Sequence, residues 1–238
     1  MSGTLELTVA GFAVWDSPSG NRPQPSLLPP NERRRAPDTV ALAVEVAQAA
    51  CANAHRDPAL LPTVFASTYG DMAITDYMCG TLATAPTMLS PTRFHNSVHN
   101  AAAGYWSIAT RCRQPYCALG AGAYTFAAGL LAAALQVCAD ETDVLLVAYD
   151  IEARGPLAQV AHSRGMLGVA LVLGASHEPD TTRLQLTIAA DAPAAAAPAA
   201  NAIAACLPLI AALEGRTQAQ VSLPLGPDST LQVRVQHA

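Results

Sequence analysis

The chain has 238 residues, of which 51% are hydrophobic and 5% aromatic, and this is enough apolar sequence to form one large domain or two small ones. Charged residues make up 13%, and the formal net charge is -5. Nucleic-acid-binding proteins usually carry a basic stripe, whereas the basic run here is limited to Arg33-Arg34-Arg35. We therefore expect no nucleic-acid partner. We interpret the run as a solvated loop, with docking of something acidic as the alternative.

The cysteines bear on the compartment in which the protein works. None of the six forms a C-x-x-C pair, and several lie inside apolar runs, which predicts buried, reduced thiols and a reducing compartment. The N-terminus lacks a basic leader, and we find no apolar stretch long enough to span a bilayer without turn residues. We therefore expect a cytoplasmic protein with no membrane span. The six are Cys51, Cys79, Cys112, Cys117, Cys138 and Cys206.

The first half of the chain alternates between predicted strands and helices. A strand over 5–15 is followed by a Pro-rich connection that cannot be helical. Asp38-Thr39 begins a helix that continues to residue 54. A short buried strand over 63–67, an irregular loop over 86–92 and a helix over 96–110 complete this part.

The alternation continues to residue 190. The predicted elements are a strand over 116–119, a helix over 124–138, and strands over 143–149, 165–174 and 184–189. The run Asp143–Tyr149 is apolar almost throughout, which is typical of a strand covered on both faces. The pattern predicts an α/β layered domain with a mostly parallel sheet.

The C-terminal part has a different composition. Residues 191–200 are rich in alanine and proline and are predicted to form a linker. A helix over 201–213 follows, and then a β-hairpin. Apolar residues alternate on both sides of Gly226-Pro227-Asp228, which predicts two strands joined by a turn at these three residues. We predict that residues 201–238 pack on the same domain as residues 1–190.

A strand, a tight turn and a buried helix are predicted between Tyr116 and Cys138. A helix N-terminus lowers the pKa of a thiol placed there, so such a turn is a natural position for a nucleophile. The turn itself reads Gly120-Ala121-Gly122-Ala123. An ordinary strand–helix connection is the alternative interpretation.

Several segments taken together resemble the β-ketoacyl synthases of fatty acid and polyketide synthesis. They are Phe94–Ile108, Gln114-Pro115-Tyr116, the turn with Thr125–Leu130, Leu145–Asp150 and Gly168–Gly174. The resemblance is strongest to short, chain-length-factor-like subunits of aryl polyene and xanthomonadin-type pigment clusters. It covers residues 1–190 and implies a thiolase-like layered fold. The N-terminal βα half is then essentially complete, and the second half is reduced to a helix and a β-hairpin.

The differences from this family concern catalysis. The active enzymes carry a cysteine at the turn, and the matching position is Gly122. The neighbouring side chains offer no acyl acceptor, and no His-Gly-Thr motif or Gly-Phe-Gly-Gly loop follows. Cys117, five residues upstream, is interpreted as a core thiol, with a displaced nucleophile as the alternative. The resemblance therefore implies a chain with no catalytic residue and no cofactor.

His95 and His99 are four residues apart near a predicted helix start, a spacing that can place two metal ligands on one face. No third ligand follows at a suitable distance. We therefore interpret the two histidines, with Asn96 and Asn100, as structural hydrogen-bonding residues and expect no metal.

The small-residue segment Asn100–Gly104 has two interpretations, tight packing inside the domain or, by the resemblance, a dimer interface that helps to enclose an acyl tunnel. Bulky side chains nearby would then set the tunnel depth. The interface and tunnel candidates are His95, Asn96, His99, Asn100, Gly104, Tyr105, Trp106, Tyr124 and Phe126.

The resemblance implies a non-catalytic subunit that forms a heterodimer with a full-length β-ketoacyl synthase during chain elongation. Acyl groups on an acyl carrier protein would be handled by that partner. The alternatives are a stand-alone acyl-transfer or thioesterase-type enzyme that uses Cys117, and a pure assembly scaffold.

Overall fold

The structure, a computed structural model, describes residues 3–17, 21–153, 155–161, 163–175, 181–191 and 200–237. The helices are α1 (Pro30–Arg35), α2 (Asp38–Ala54), α3 (Met72–Thr84), α4 (Pro91–Asn96), α5 (Ala101–Thr110), α6 (Thr125–Asp140) and α7 (Leu207–Glu214). The strands are β1 (Leu5–Ser17), β2 (Thr63–Ala66), β3 (Tyr116–Leu119), β4 (Val144–Ile151), β5 (Met166–Gly174), β6 (Thr182–Ala189), β7 (Ala219–Gly226) and β8 (Ser229–Gln236).

The strands form one sheet in the order β3-β2-β4-β5-β1-β6-β8-β7. The prediction of a mostly parallel sheet is wrong, because only β2 pairs with its neighbours β3 and β4 in parallel, and every other pairing is antiparallel. Strands β1 to β4 do run in one direction, as their helical connections require. Strand β5 runs the opposite way and lies between β4 and β1, so both of its pairings are antiparallel.

Helices cover both faces of the sheet and create two hydrophobic cores. Along β4 the side chains alternate, with Leu145 and Val147 facing α2 and α5, and Leu146 and Ala148 facing α6. Strand β5 alternates in the same way. A strand buried on both faces therefore reads as one continuous apolar run, as predicted for this segment.

The region between β2 and β3 departs most from the predictions. The predicted loop over 86–92 contains a short 3-10 turn, Pro86–Met88, and the start of α4. The predicted helix over 96–110 is broken, since the backbone N–H and the hydroxyl of Ser97 both donate to the Phe94 carbonyl and close α4 there. Helix α5 starts only at Ala101. Helix α3 was not predicted.

The hairpin prediction is confirmed. Val221 lies opposite Val233 and Leu223 opposite Leu231, and all four are buried. Strand β8 also pairs with β6, so the hairpin extends the sheet of the domain. The helix predicted over 201–213 begins later, with a 3-10 turn before α7. Of the predicted linker, residues 192–199 lie outside the described residues.

One helical stretch, Gly122–Asp140, is long and apolar enough to cross a membrane by length and composition alone. This differs from the expectation that no such stretch exists. Its side chains Phe126, Leu130 and Val137 are buried in the core beneath the sheet. The apolar composition of α6 is therefore explained by its position inside the domain.

Gly11 in β1 shows how closely the helices approach the sheet. A Cβ atom at this position would lie 2.4 Å from the backbone nitrogen of Ala54, at the end of α2. Backbone atoms cannot move aside as a flexible side chain can. The residue at position 11 must therefore be glycine for α2 to reach its place.

We predict that Gly11→Ala lowers the free energy of unfolding by about 2 kcal/mol or more, because the methyl group forces α2 off β1. Gly104→Ala is the matched control. A Cβ there meets nothing within 4 Å, so alanine in the middle of α5 should raise stability by up to about 1 kcal/mol. Urea unfolding measures both, and equal effects of the two substitutions would contradict the proposed contact.

Candidate functional site

The turn between β3 and α6 is built on one threonine side chain. The Thr125 hydroxyl donates to the Gly122 carbonyl at 2.8 Å and accepts from the Ala121 N–H at 3.0 Å. Gly122 has φ +57, a left-handed conformation that residues with a side chain rarely adopt. A Cβ at Gly122 would meet nothing within 4 Å. The backbone thus forms a tight turn that exposes an open position at the start of α6.

The loop after β2 packs against this turn. The Thr68 hydroxyl donates to the Gly122 carbonyl at 3.3 Å. A Cβ at Gly120 would lie only 2.8 Å from the Ser67 carbonyl oxygen, so position 120 needs glycine for the loop to approach. The imidazole of His99 stands beside both segments, 3.5 Å from the Cβ positions of Gly120 and Gly70.

A buried carboxylate holds the loop in place. Asp150 ends the β4 apolar run and is fully buried. It accepts hydrogen bonds from the Ser67 hydroxyl at 3.0 Å and from the N–H groups of Thr68 and Tyr69 at 2.8 and 3.1 Å. Burial raises the pKa of Asp150, and these hydrogen bonds oppose the rise. The loop therefore depends on one desolvated side chain.

The C-terminal part of the chain reaches the end of β4 that carries Asp150. The Asn201 side-chain amide donates to the carbonyl oxygens of Asp150 and Arg164 at 3.1 and 3.2 Å. Asn201 is itself buried. The segment leading into α7 is thereby attached to the strand end that supports the turn.

The two histidines separate instead of forming one site. His99 lies beside the turn, whereas His95 is exposed and lines a groove between α1 and α5. Within the described residues, no three His, Cys, Asp or Glu side chains are grouped as metal binding requires. Asn96 is buried, and its Oδ1 has no hydrogen-bond partner among the described residues. Asn100 donates to the Tyr116 hydroxyl at 3.0 Å and so links α5 to β3.

The comparisons with known proteins agree with this architecture. The sequence-family model of the β-ketoacyl synthase N-terminal domain matches residues 13–224 of this chain. The chain belongs to this family. The match extends beyond residue 190, where the sequence resemblance was expected to end, and reaches into β7. None of the curated protein sequences matches this chain.

Solved structures with this fold include ketosynthases and their complexes. The ketosynthase ApeO in complex with its chain length factor ApeC, from Xenorhabdus doucetiae, matches with a TM-score of 0.77 and 19% identity over 97% of this chain and 99% of that chain. A β-ketoacyl synthase from Burkholderia phymatum STM815 gives 0.61 and 12%, covering 90% and 71%. The ishigamide ketosynthase/chain length factor gives 0.60 and 13%, covering 79% and 68%. The predicted thiolase-like fold is confirmed.

The four aromatic residues among the interface and tunnel candidates do not share one environment. Trp106 is buried in the core on the α2 side of the sheet, whereas Phe126 is buried on the α6 side. Tyr105 is half-buried and lines the groove between α1 and α5. Tyr124 is half-buried at the start of α6, next to Gly122. Of the four, Tyr124 lies in the turn itself.

The expectation that the cysteines are buried is wrong for three of them, and Cys112 is only half-buried. Cys117 is exposed because β3 is the edge strand of the sheet, and Cys79 and Cys138 are exposed on helices. Cys51 and Cys206 are buried as expected. Burial raises the pKa of each of these two thiols to about 12.

Sequence reasoning missed the residues that support the turn. The predicted strands end at Ser67 and one residue before Asp150, and Thr68 belongs to no predicted element. An aspartate that follows a fully apolar run has to be satisfied by hydrogen bonds where it is buried. That signal was available in the sequence. Its partners were not, because they depend on β2 and β4 being neighbours.

We predict that the raised pKa of Asp150 makes stability depend on pH. A carboxyl group whose pKa is higher in the folded than in the unfolded state binds more protons when folded, so the unfolding free energy falls as pH rises from about 3.9 through the folded-state pKa. Asp150→Asn should abolish this dependence. It should also cost about 1–3 kcal/mol, because its amide would face the Thr68 N–H.

Urea unfolding between pH 4 and pH 8 measures this effect. Asp228→Asn, at an exposed position in the hairpin turn, is the control and should keep the wild-type profile. A wild-type profile in the Asp150→Asn variant would show that Asp150 is not the group responsible.

Proposed function

We propose that this chain is a non-catalytic subunit that pairs with a full-length β-ketoacyl synthase, in the manner of a chain length factor. The observation that carries the proposal is glycine at position 122 of the β3–α6 turn, in a chain that matches a ketosynthase–chain length factor complex. The match covers 97% of one chain and 99% of the other, so the two are of about equal length. Acyl groups on an acyl carrier protein would be handled by the synthase partner.

The chemistry of the turn supports this proposal. In active β-ketoacyl synthases, carbon–carbon bond formation needs a side chain that accepts the acyl group and electrostatic support for the developing enolate. Gly122 has no side-chain atom to carry an acyl group. The Thr125 hydroxyl next to it is occupied by two hydrogen bonds within the turn. The turn keeps a defined shape without a nucleophile.

The surface around β3 supports pairing with another protein. This edge strand carries the exposed side chains of Tyr116 and Cys117, and an unpaired strand edge is an aggregation hazard unless it is covered. Phe94 on α4, Val98 in the turn between α4 and α5, and Ile108 on α5 are 56%, 48% and 79% exposed. We call β3 and these three side chains the β3 face, and propose that the partner synthase covers it.

The finer assignment rests on the sequence resemblance. We propose that the heterodimer elongates chains in aryl polyene, polyketide or fatty-acid-type synthesis in the cytoplasm. Residues 1–190 would supply the ketosynthase-like half, 191–200 a linker, and 201–238 the helix and hairpin in place of a second half. In this proposal Tyr124 and the rest of the turn help to shape the space for the growing chain.

The exposure of Cys117 favours one alternative, a stand-alone acyl-transfer or thioesterase-type enzyme. The thiol is accessible on β3, which the interpretation as a core thiol did not anticipate. In the heterodimer proposal the same thiol lies on the β3 face and would be covered by the partner. The two proposed functions therefore make opposite predictions for the reactivity of the Cys117 thiol in the complex.

We predict that co-expression with the full-length ketoacyl synthase encoded in the same genome yields a 1:1 complex, because the β3 face is covered only in that complex. Size-exclusion chromatography with light scattering measures the stoichiometry. Tyr116→Glu, which places a charge on the β3 face, should abolish the complex, whereas Gln220→Glu on strand β7 should not.

Product length then separates a tunnel subunit from a scaffold. Tyr124→Ala in the purified complex should change the chain length of the product, whereas a pure scaffold would leave it unchanged. A chain that stays monomeric beside a synthase that elongates normally without it would contradict the whole proposal.

We predict that iodoacetamide labels Cys117 readily in the free chain and at least ten-fold more slowly in the heterodimer. Cys51 and Cys206 should stay unlabelled at pH 8 in both, because the pKa of each is about 12. Exposed Cys79 is the internal control for reagent access. Mass spectrometry after incubation with an acyl thioester should show no adduct on Cys117, and a stoichiometric adduct would favour the enzyme.

A further inference from the structure

A groove runs between two helical segments on the outer side of the domain. It has a volume of about 710 Å³ and is open to solvent. The connection before α1 forms one wall and α5 forms the other. Its surface is largely apolar, with Leu27, Ala101 and Ile108 among the lining residues.

The charged groups at the groove are mainly basic. Arg35 at the end of α1 and Arg111 at the end of α5 both line it, as does His95, and Glu32 is the acidic residue among the lining side chains. Both arginines are exposed. In the part of the chain that the structure describes, neither forms an ion pair with a carboxylate.

This local charge is opposite to that of the whole chain. The formal net charge is -5, yet six of the 13 basic residues, all arginines, lie in three short segments at the groove and beside it. The six are Arg33, Arg34, Arg35, Arg93, Arg111 and Arg113. Glu32 is the one acidic residue in α1, α4 and the connection from α5 to β3. The surface therefore favours an acidic occupant.

The groove is continuous with the β3 face. Val98 and Ile108 belong to both, and Asn100 lines the groove while donating to the hydroxyl of Tyr116 on β3. A protein seated on the β3 face would therefore reach the groove. Since the groove is open to solvent, it suits a protruding segment of a protein better than a small molecule, which is usually enclosed by its pocket.

We propose that the groove between α1 and α5 receives an acidic, partly apolar segment of the partner synthase, with carboxylates at Arg35 and Arg111. This inference rests on the proposed function. The apolar lining supplies contact area and the arginines select the partner, since complementary charge governs specificity and association rate more than affinity.

The test is the affinity of the heterodimer with the full-length synthase from the same genome. The double variant Arg35→Glu, Arg111→Glu should weaken binding at least ten-fold and reduce the salt dependence of Kd, because the charge match is reversed. The matched control is Arg183→Glu, Arg234→Glu, which makes the same charge change at exposed positions on β6 and β8. Circular dichroism confirms that both variants fold.

A photo-crosslinking residue at Ile108, which is 79% exposed, provides an independent measurement. A crosslink to an Asp- or Glu-rich peptide of the synthase supports the proposal. The same residue at Ile188, on β6, is the control. A crosslink only to the carrier protein or to a second copy of this chain overturns it.

The two proposals fail in different ways. If the wild-type chain forms no heterodimer, the proposed function fails. If the heterodimer forms, but the Arg35 and Arg111 double variant binds as tightly as the wild type, the groove proposal alone is overturned. The absence of any crosslink from Ile108 in an intact heterodimer overturns it as well.

Discussion

The architecture depends on one strand that is buried on both faces and ends in a buried carboxyl group. Strand β4 lies between β2 and β5, and its alternate side chains need a helical layer on each side of the sheet. Asp150 at its end is removed from water, so its oxygens must be satisfied from nearby. The loop after β2 supplies those donors, and the same loop packs on the turn before α6. Core packing and site geometry are thus coupled through a single strand.

Glycine is favoured at positions 120 and 122 of the turn for two different physical reasons. Gly120 is required by packing, because a side chain there would collide with the Ser67 carbonyl. Gly122 faces open space, so only its left-handed backbone favours glycine. A nucleophile's side chain could therefore fit sterically at position 122, while the loop contact at position 120 preserves the turn. Under the proposed function, the turn keeps a defined shape while position 122 carries no reactive side chain.

The sequence predicted those parts of the fold whose signals are local. The apolar runs of β4 and β5, the alternation in the β7–β8 hairpin and the strand–turn–helix around Gly122 were all readable. Strand order was not, because the position of β5 between β4 and β1 depends on tertiary pairing. The exposure of Cys117 was missed for the same reason, since an apolar strand reads alike at the edge and in the centre of a sheet. Helix α3 has one buried residue, Ile74, and so carries little amphipathic pattern.

At the proposed partner surface, apolar contact contributes binding area and charge contributes specificity. The exposed side chains of Phe94, Val98 and Ile108 offer contact area, but such a surface can bind many proteins and also a second copy of the chain. Charge discriminates, because a wrong partner leaves Arg35 and Arg111 desolvated without a carboxylate. Under the proposed function the chain carries no nucleophile and contributes only through the synthase that it joins. Selection of that synthase would then be as much a requirement as the shape of the turn.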